Sequence, residues 1–169
     1  SGKFLSKEKY LKTWELDNCT FGKENQISKS TALDWFKYSN QSTSVLWDNE
    51  NDCVVGYITP YLVKHTFANK YILNNATFKE ALNEDVFCTP HKGADADIYI
   101  FSAVVTPKYR NKKLDISDKH SKMYGKTAFK VLNEALVEWI CEIKQAGVSI
   151  NYVFGEKSTD DGEKYLRSL

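Results

Sequence analysis

The sequence has little from which to build a metal centre, a disulfide framework or a membrane span. Its four cysteines (Cys19, Cys53, Cys88 and Cys141) lie far apart and form no Cys-x-x-Cys pair. A zinc site is therefore not indicated, and reduced thiols are the expectation. No apolar run is long enough to cross a bilayer. No stretch is rich enough in proline, glycine or serine to serve as a linker, and nothing repeats. No N-terminal signal peptide is visible, so the sequons at Asn18, Asn40 and Asn75 carry little weight. The three histidines (His65, His91 and His120) show no partner pattern for nucleophilic or metal chemistry, and no cysteine stands out as a covalent nucleophile. A net charge of +1 argues against a broad nucleic-acid surface. These absences point to a cytoplasmic protein without a metal, a nucleic-acid partner or a membrane partner.

What is present suits a folded domain. The chain has 169 residues, 42% of them apolar and 14% aromatic. That is enough for one sizeable core and too little for two large domains. Up to Gly22 the apolar residues Phe4, Leu5, Tyr10, Leu11 and Trp14 suggest an edge strand and a short helix. Ser30 or Thr31 can cap a helix running to about Tyr38. Residues 44–47 and 53–58 read as an antiparallel hairpin around a polar turn, which Pro60 ends or places at an edge. Residues 64–90 are mixed, with a short helical stretch over 77–83.

The second half is sharper. Ile98 to Val105 is nearly continuous apolar sequence, as in a central strand covered on both faces. Ala128, Val131, Leu132, Ala135, Leu136, Trp139, Ile140 and Ile143 recur every three or four residues, so Lys126 to Ala146 reads as an amphipathic helix. Gly147 sits where a helix-terminating glycine belongs. Residues 148–154 form another strand, and Ser158 can cap a last helix. Strand, helix, strand in one run implies a parallel pair.

Charge is concentrated between these elements. From Pro107 to Lys130 there are eight Lys or Arg against two Asp, a local net charge of +6 that leaves the rest at −5. A buried strand feeding a cationic loop and then a helix start is a place to hold phosphates, because the free amides and the dipole of a helix N-terminus favour an anion. Gly125-Lys126-Thr127 matches the end of a nucleotide-binding P-loop. The first glycine of that motif is His120 here, however, and nineteen residues (106–124) separate the strand from Gly125. A tight phosphate cradle is thereby disfavoured.

Val105-x-Pro107-x-Tyr109-Arg110 after an apolar strand resembles the start of motif A, V-x-P-x-x-[QR]-x-x-G-x-[GA], of the GNAT N-acetyltransferase superfamily. The resemblance continues through the long helix, the strand 150–154 and the final Asp161 to Leu169. Gly56-Tyr57-Ile58 also looks like the family's third strand. The likeness is close over 97–169 and only topological over 1–96. Two motif positions depart from it. The glycine positions counted from Arg110 hold Lys113 and Asp115, which implies an insertion of about ten residues before the helix.

The resemblance implies a GNAT-like α/β fold over 1–169, with a mixed, mostly antiparallel sheet, one parallel strand pair and helices on both faces. Residues 1–96 would form the acceptor side and 97–169 the coenzyme-binding core. The implied activity is direct transfer of an acetyl group from acetyl-CoA to an amine, either a small molecule or a peptide or protein group. Ala103, Val104 and Val105 would offer main-chain groups to the pantetheine arm. Arg110, Lys122, Gly125, Lys126, Thr127 and Ser158 would hold the phosphates. Tyr165 is the implied acid, one residue out of the family's register, and Glu156 the implied base; Asp97 is a further carboxylate to weigh as base. The family continues into further strands where this chain stops at Leu169, and a monomer or homodimer is expected. A non-catalytic domain of the same shape, binding acyl-CoA or a protein, and an α/β domain whose basic loop binds nothing remain alternatives.

Overall fold

The structure is a computed structural model and describes residues 5–23, 26–74 and 84–155. Helix α1 (Lys7–Thr20) and helix α2 (Lys29–Ser39) come first, followed by strands β1 (Ser44–Asp48) and β2 (Cys53–Lys64), helix α3 (His65–Asn74), strand β3 (Asp95–Val105), helix α4 (Ala128–Gln145) and strand β4 (Ser149–Gly155). The sheet order is β1-β2-β3-β4, antiparallel for the first two pairs and parallel for β3 with β4. The chain is therefore mixed α/β with one parallel pair, as the strand-helix-strand run implied.

Alternation along β2 and β3 divides the core into two layers. On one face Ile58, Leu62, Ala96, Ile98 and Ile100 pack against Ala128, Leu132, Leu136 and Ile143 of α4. Burying each of those larger aliphatic side chains is worth about 1.5–3 kcal/mol. On the other face Tyr61, Val63 and Tyr99 meet α1, α2 and α3 through Tyr10, Trp35 and Phe67. This second layer is strongly aromatic. Trp35 makes edge contacts with Tyr61, Phe87 and Phe101 at centroid distances of 5.7, 5.2 and 5.7 Å, an arrangement that aromatic quadrupoles favour.

Several boundaries differ from those expected. The N-terminal region is one 14-residue helix, and no strand precedes it among the described residues. Its inward stripe is Tyr10, Thr13 and Asp17, so the helix has a buried face without an apolar pattern. The cap of α2 is Ser28, two or three residues earlier than expected; its hydroxyl accepts from Thr31 N at 3.1 Å. β2 does not stop at Pro60 but runs to Lys64. Pro60 ends only the pairing with β1, whose last partner is Ile58. The cap of α4 is Thr127, with Gly147 in left-handed geometry (φ 90°) after its other end. The helical stretch expected over 77–83 and the helix expected from Ser158 lie outside the described residues.

Candidate functional site

A bulge interrupts the β2–β3 ladder near the end of β3. Thr59 faces Ser102 and Pro60 faces Ile100, so Phe101 is the extra residue on β3. Proline suits this place because it has no amide to give to a ladder. A bulge bends its strand and sharpens the local twist. Among the described residues β3 pairs with β4 as far as Ile100↔Gly155 and with β2 as far as Val105↔Gly56. Thr106 N donates to Val55 O at 2.9 Å. By antiparallel alternation Val104 then turns its main-chain groups toward β2, and Ala103 and Val105 turn theirs toward the β4 side. There Arg110 Nε donates to Val105 O at 2.9 Å.

The basic loop is tied at both ends. Tyr109 donates its hydroxyl proton to Asp48 Oδ2 in the β1–β2 turn, at 2.5 Å. That hydrogen bond, with those from Asn51, holds the Asp48 carboxyl well below the usual carboxylate range. At the other end Leu114 N donates to Lys126 O at 2.8 Å, and Lys113 bridges to Thr127. Gly125 adopts φ 72°, a left-handed conformation that favours glycine.

Much of the expected phosphate-binding group has work inside the chain. Lys126 N donates to Met123 O at 3.1 Å, and Lys126 Nζ lies 2.6 Å from Glu134 Oε2. Thr127 Oγ1 accepts from Lys130 N and so caps α4. Lys122 Nζ lies 3.9 Å from Glu138 Oε1, both side chains being largely exposed. Carboxylates of α4 thus neutralise part of the loop's charge, a helix-to-loop pairing invisible in a count of residues along the chain. Glu156, Ser158 and Tyr165 lie outside the described residues.

A second cluster, unsuspected from the sequence, sits beside the bulge on the opposite face from α4. Asp17 of α1 is almost wholly buried. Its Oδ1 accepts from the hydroxyls of Tyr57 and Ser102, which also contact each other at 2.9 Å. Burial pushes the Asp17 carboxyl up, against the lowering effect of the Ser102 and Tyr57 hydrogen bonds. Burial, then the Asp17 charge, pushes Tyr57 well up, so the phenol keeps its proton. Asp17 lines a narrow crevice with room for about one water, walled by Tyr10, Thr13, Trp14 and Ile27 and by Tyr57, Thr59 and Phe101 of the sheet. The seven-residue spacing from Tyr10 to Asp17 was the available signal, two turns of one helix face.

The third cluster surrounds Asp97, the further carboxylate weighed as a base. Asp97 is fully buried. It sits at a register shift between β3 and β4, where its Oδ1 accepts from Asn151 N at 3.0 Å and Tyr152 N at 2.8 Å. Its Oδ2 lies 2.7 Å from His65 Nδ1, and the His65 ring stacks on Tyr152 at 5.7 Å. The histidine set aside for want of a partner therefore has one, from a strand 32 residues away in sequence.

Among the described residues no group of three or more His, Cys, Asp or Glu is placed to hold a metal, and no helix is long and apolar enough to cross a membrane. No family model matches the chain, and no curated protein matches it either.

Proposed function

We propose that this chain is an N-acyltransferase of the GNAT type, moving an acetyl group from acetyl-CoA to an amine by direct transfer. The observation that carries the reading is the turn after β3, where Arg110 Nε donates to Val105 O ahead of the basic loop and α4. β2 supports the strand to Val105. Main-chain groups on the side of a strand turned away from its partner can receive an extended amide-bearing arm, which adds to it as a strand would. The main-chain groups of Ala103 and Val105 face that side. Two further features agree with the reading. Arg110 stands at the strand end, and the long helix and the parallel strand follow β3 in the order the resemblance implied.

In such a site the amine nitrogen forms a bond to the acetyl carbon, the carbon–sulfur bond breaks, and the thiolate takes a proton. The chain must keep the attacking amine neutral and stabilise the tetrahedral oxyanion. Glu156 and Tyr165 stay the proposed base and acid. The pairing of Lys122 and Lys126 with acids of α4 favours a second reading, a non-catalytic domain that binds acyl-CoA or a protein partner.

Thiol release from acetyl-CoA with a panel of primary amines tests the reading. Amine-dependent thiol release supports transfer. Saturable acetyl-CoA binding without thiol release supports the second reading, and no binding overturns both.

A further inference from the structure

α4 carries its charges in an order that its own dipole disfavours. Lys130 stands in the first turn, which has no acidic residue, and Glu134, Glu138 and Glu142 follow toward the other end. A helix is positive at its N-terminus and negative at its C-terminus, so this order works against it; Lys144 in the last turn alone follows the dipole. Lys126, Lys130, Glu134, Glu138 and Glu142 recur every four residues and form one ridge of the helix surface. Two of these glutamates are compensated within the chain, Glu134 by Lys126 at 2.6 Å and Glu138 by Lys122 at 3.9 Å. Lys130 and Glu142 are exposed and make no ion pair with another described residue. The neighbouring ridge is Phe129, Asn133, Val137 and Cys141. Phe129 is 41% exposed and Val137 48%, on a helix that buries Ala128, Leu132, Leu136 and Ile143 on its inner side. Large apolar residues thus stand where an amphipathic helix ordinarily carries polar ones.

An occupant of this face must be apolar along one ridge, acidic opposite Lys130 and basic opposite Glu142. We propose that the occupant is a second copy of this chain, the two α4 helices packing antiparallel through their outer faces. Such a contact is isologous, so each pairing in it occurs twice. With the two-fold axis level with Leu136, Lys130 of each copy comes level with Glu142 of the other. The two Val137 side chains meet beside the axis, and Phe129 comes level with residues 141–145 across it. Glu134 and Glu138 also come level with each other, but each already has its lysine. Ridges four residues apart interdigitate at a crossing angle of about −50°, the commonest packing of two helices. The antiparallel copy brings the positive start of one helix beside the acidic end of the other, which offsets the unfavourable order of charge within each. None of this rests on the transferase reading.

Sedimentation velocity of the full chain over a concentration series is the test. A monomer–dimer equilibrium is expected, and added salt weakens it because the cross-copy ion pairs lie near the surface. Lys130→Glu sets acid level with acid at both symmetry-related contacts and is expected to raise the dimer dissociation constant at least about tenfold; Glu142→Lys sets base level with base and does the same. The double variant, Lys130→Glu with Glu142→Lys, restores complementarity in the opposite sense, and its dissociation constant is expected within about threefold of the unmodified chain. Val137→Arg puts like charges beside the axis and is expected to leave only monomer. All these positions are exposed, so the variants should fold, and thermal melting checks that they do. A chain that stays monomeric at millimolar concentration overturns the proposal and leaves the face to a different partner. A dimer that survives Val137→Arg, or single reversals that the double variant does not rescue, places the contact elsewhere and overturns it as well.

Discussion

His65 Nδ1 lies 2.7 Å from Asp97 Oδ2, joining the start of α3 to the middle of the parallel strand pair. The other carboxylate oxygen receives two β4 amides at the point where the ladder shifts register. One buried side chain therefore replaces the missing ladder partners and fixes where β4 lies. Removing it leaves two partly buried amides and a histidine without their partner, beside a buried site that had held a charge. Asp97→Ala is expected to lower stability by about 3–5 kcal/mol in urea unfolding, and His65→Ala by about 1 kcal/mol, since the half-exposed imidazole can be replaced by water. Equal losses in the two variants would mean that the β4 amides are not the main partners.

The Asp17 carboxyl gives stability an unusual dependence on pH. Its pKa in the folded protein is raised above its ordinary value of 3.8 by burial. Below 3.8 both the folded and unfolded chains hold the proton and there is no penalty. As pH rises toward the folded value, the unfolded chain releases its proton first, so this residue's contribution to stability falls. Asp17→Asn removes that term. Relative to the unmodified chain, the variant should gain stability as pH rises from acid to neutral in urea titrations. A difference that does not change with pH would show that Asp17 titrates normally.

Gly56 is needed for closeness rather than for backbone freedom. A Cβ added there would stand 2.7 Å from Val104 O and 3.2 Å from Val105 Cα, both on the main chain of β3. Backbone atoms yield less readily than side-chain tips. Gly56→Ala is expected to cost about 1–3 kcal/mol of stability and to weaken acetyl-CoA binding, because the clash falls on the residues proposed to hold the arm. Full stability in that variant by thermal melting would argue against so tight a β2–β3 approach.

The loop cations should not contribute equally to coenzyme affinity. Arg110 is anchored at the strand end by Val105 O, whereas Lys122 is exposed and close to Glu138. Arg110→Ala is expected to reduce acetyl-CoA affinity about tenfold, the worth of one charge-assisted hydrogen bond, and Lys122→Ala less than about twofold. Calorimetric titration of both variants measures this. The reverse order would move the phosphate site toward the start of α4.

The parts of the fold that were legible are those with strong periodic burial. β3 and α4 carry continuous or three-and-four-spaced apolar residues, and the parallel β4 followed from their order. α1 was read poorly because its buried stripe is Tyr10, Thr13 and Asp17, which hydrophobic periodicity does not register. β2 was cut short at Pro60 because proline was given its usual meaning as a strand breaker; here a bulge on the neighbouring strand accommodates it. The candidate site divides in the same way. The charged loop and strand end were visible as local sequence, but the partners of Lys126, Asp97 and Asp17 come from distant segments and no spacing rule announces them. Gly125 was valued for its amide, and its left-handed φ of 72° shows a conformational demand as well.

The central claim is that a coenzyme arm lies along the C-terminal end of β3. Amide chemical-shift mapping of the labelled chain during titration with coenzyme A tests it most directly. The account predicts the largest saturable shifts at residues 101–106, with smaller ones at 125–128. Shifts confined to other parts of the chain, or none at saturating coenzyme, would contradict it.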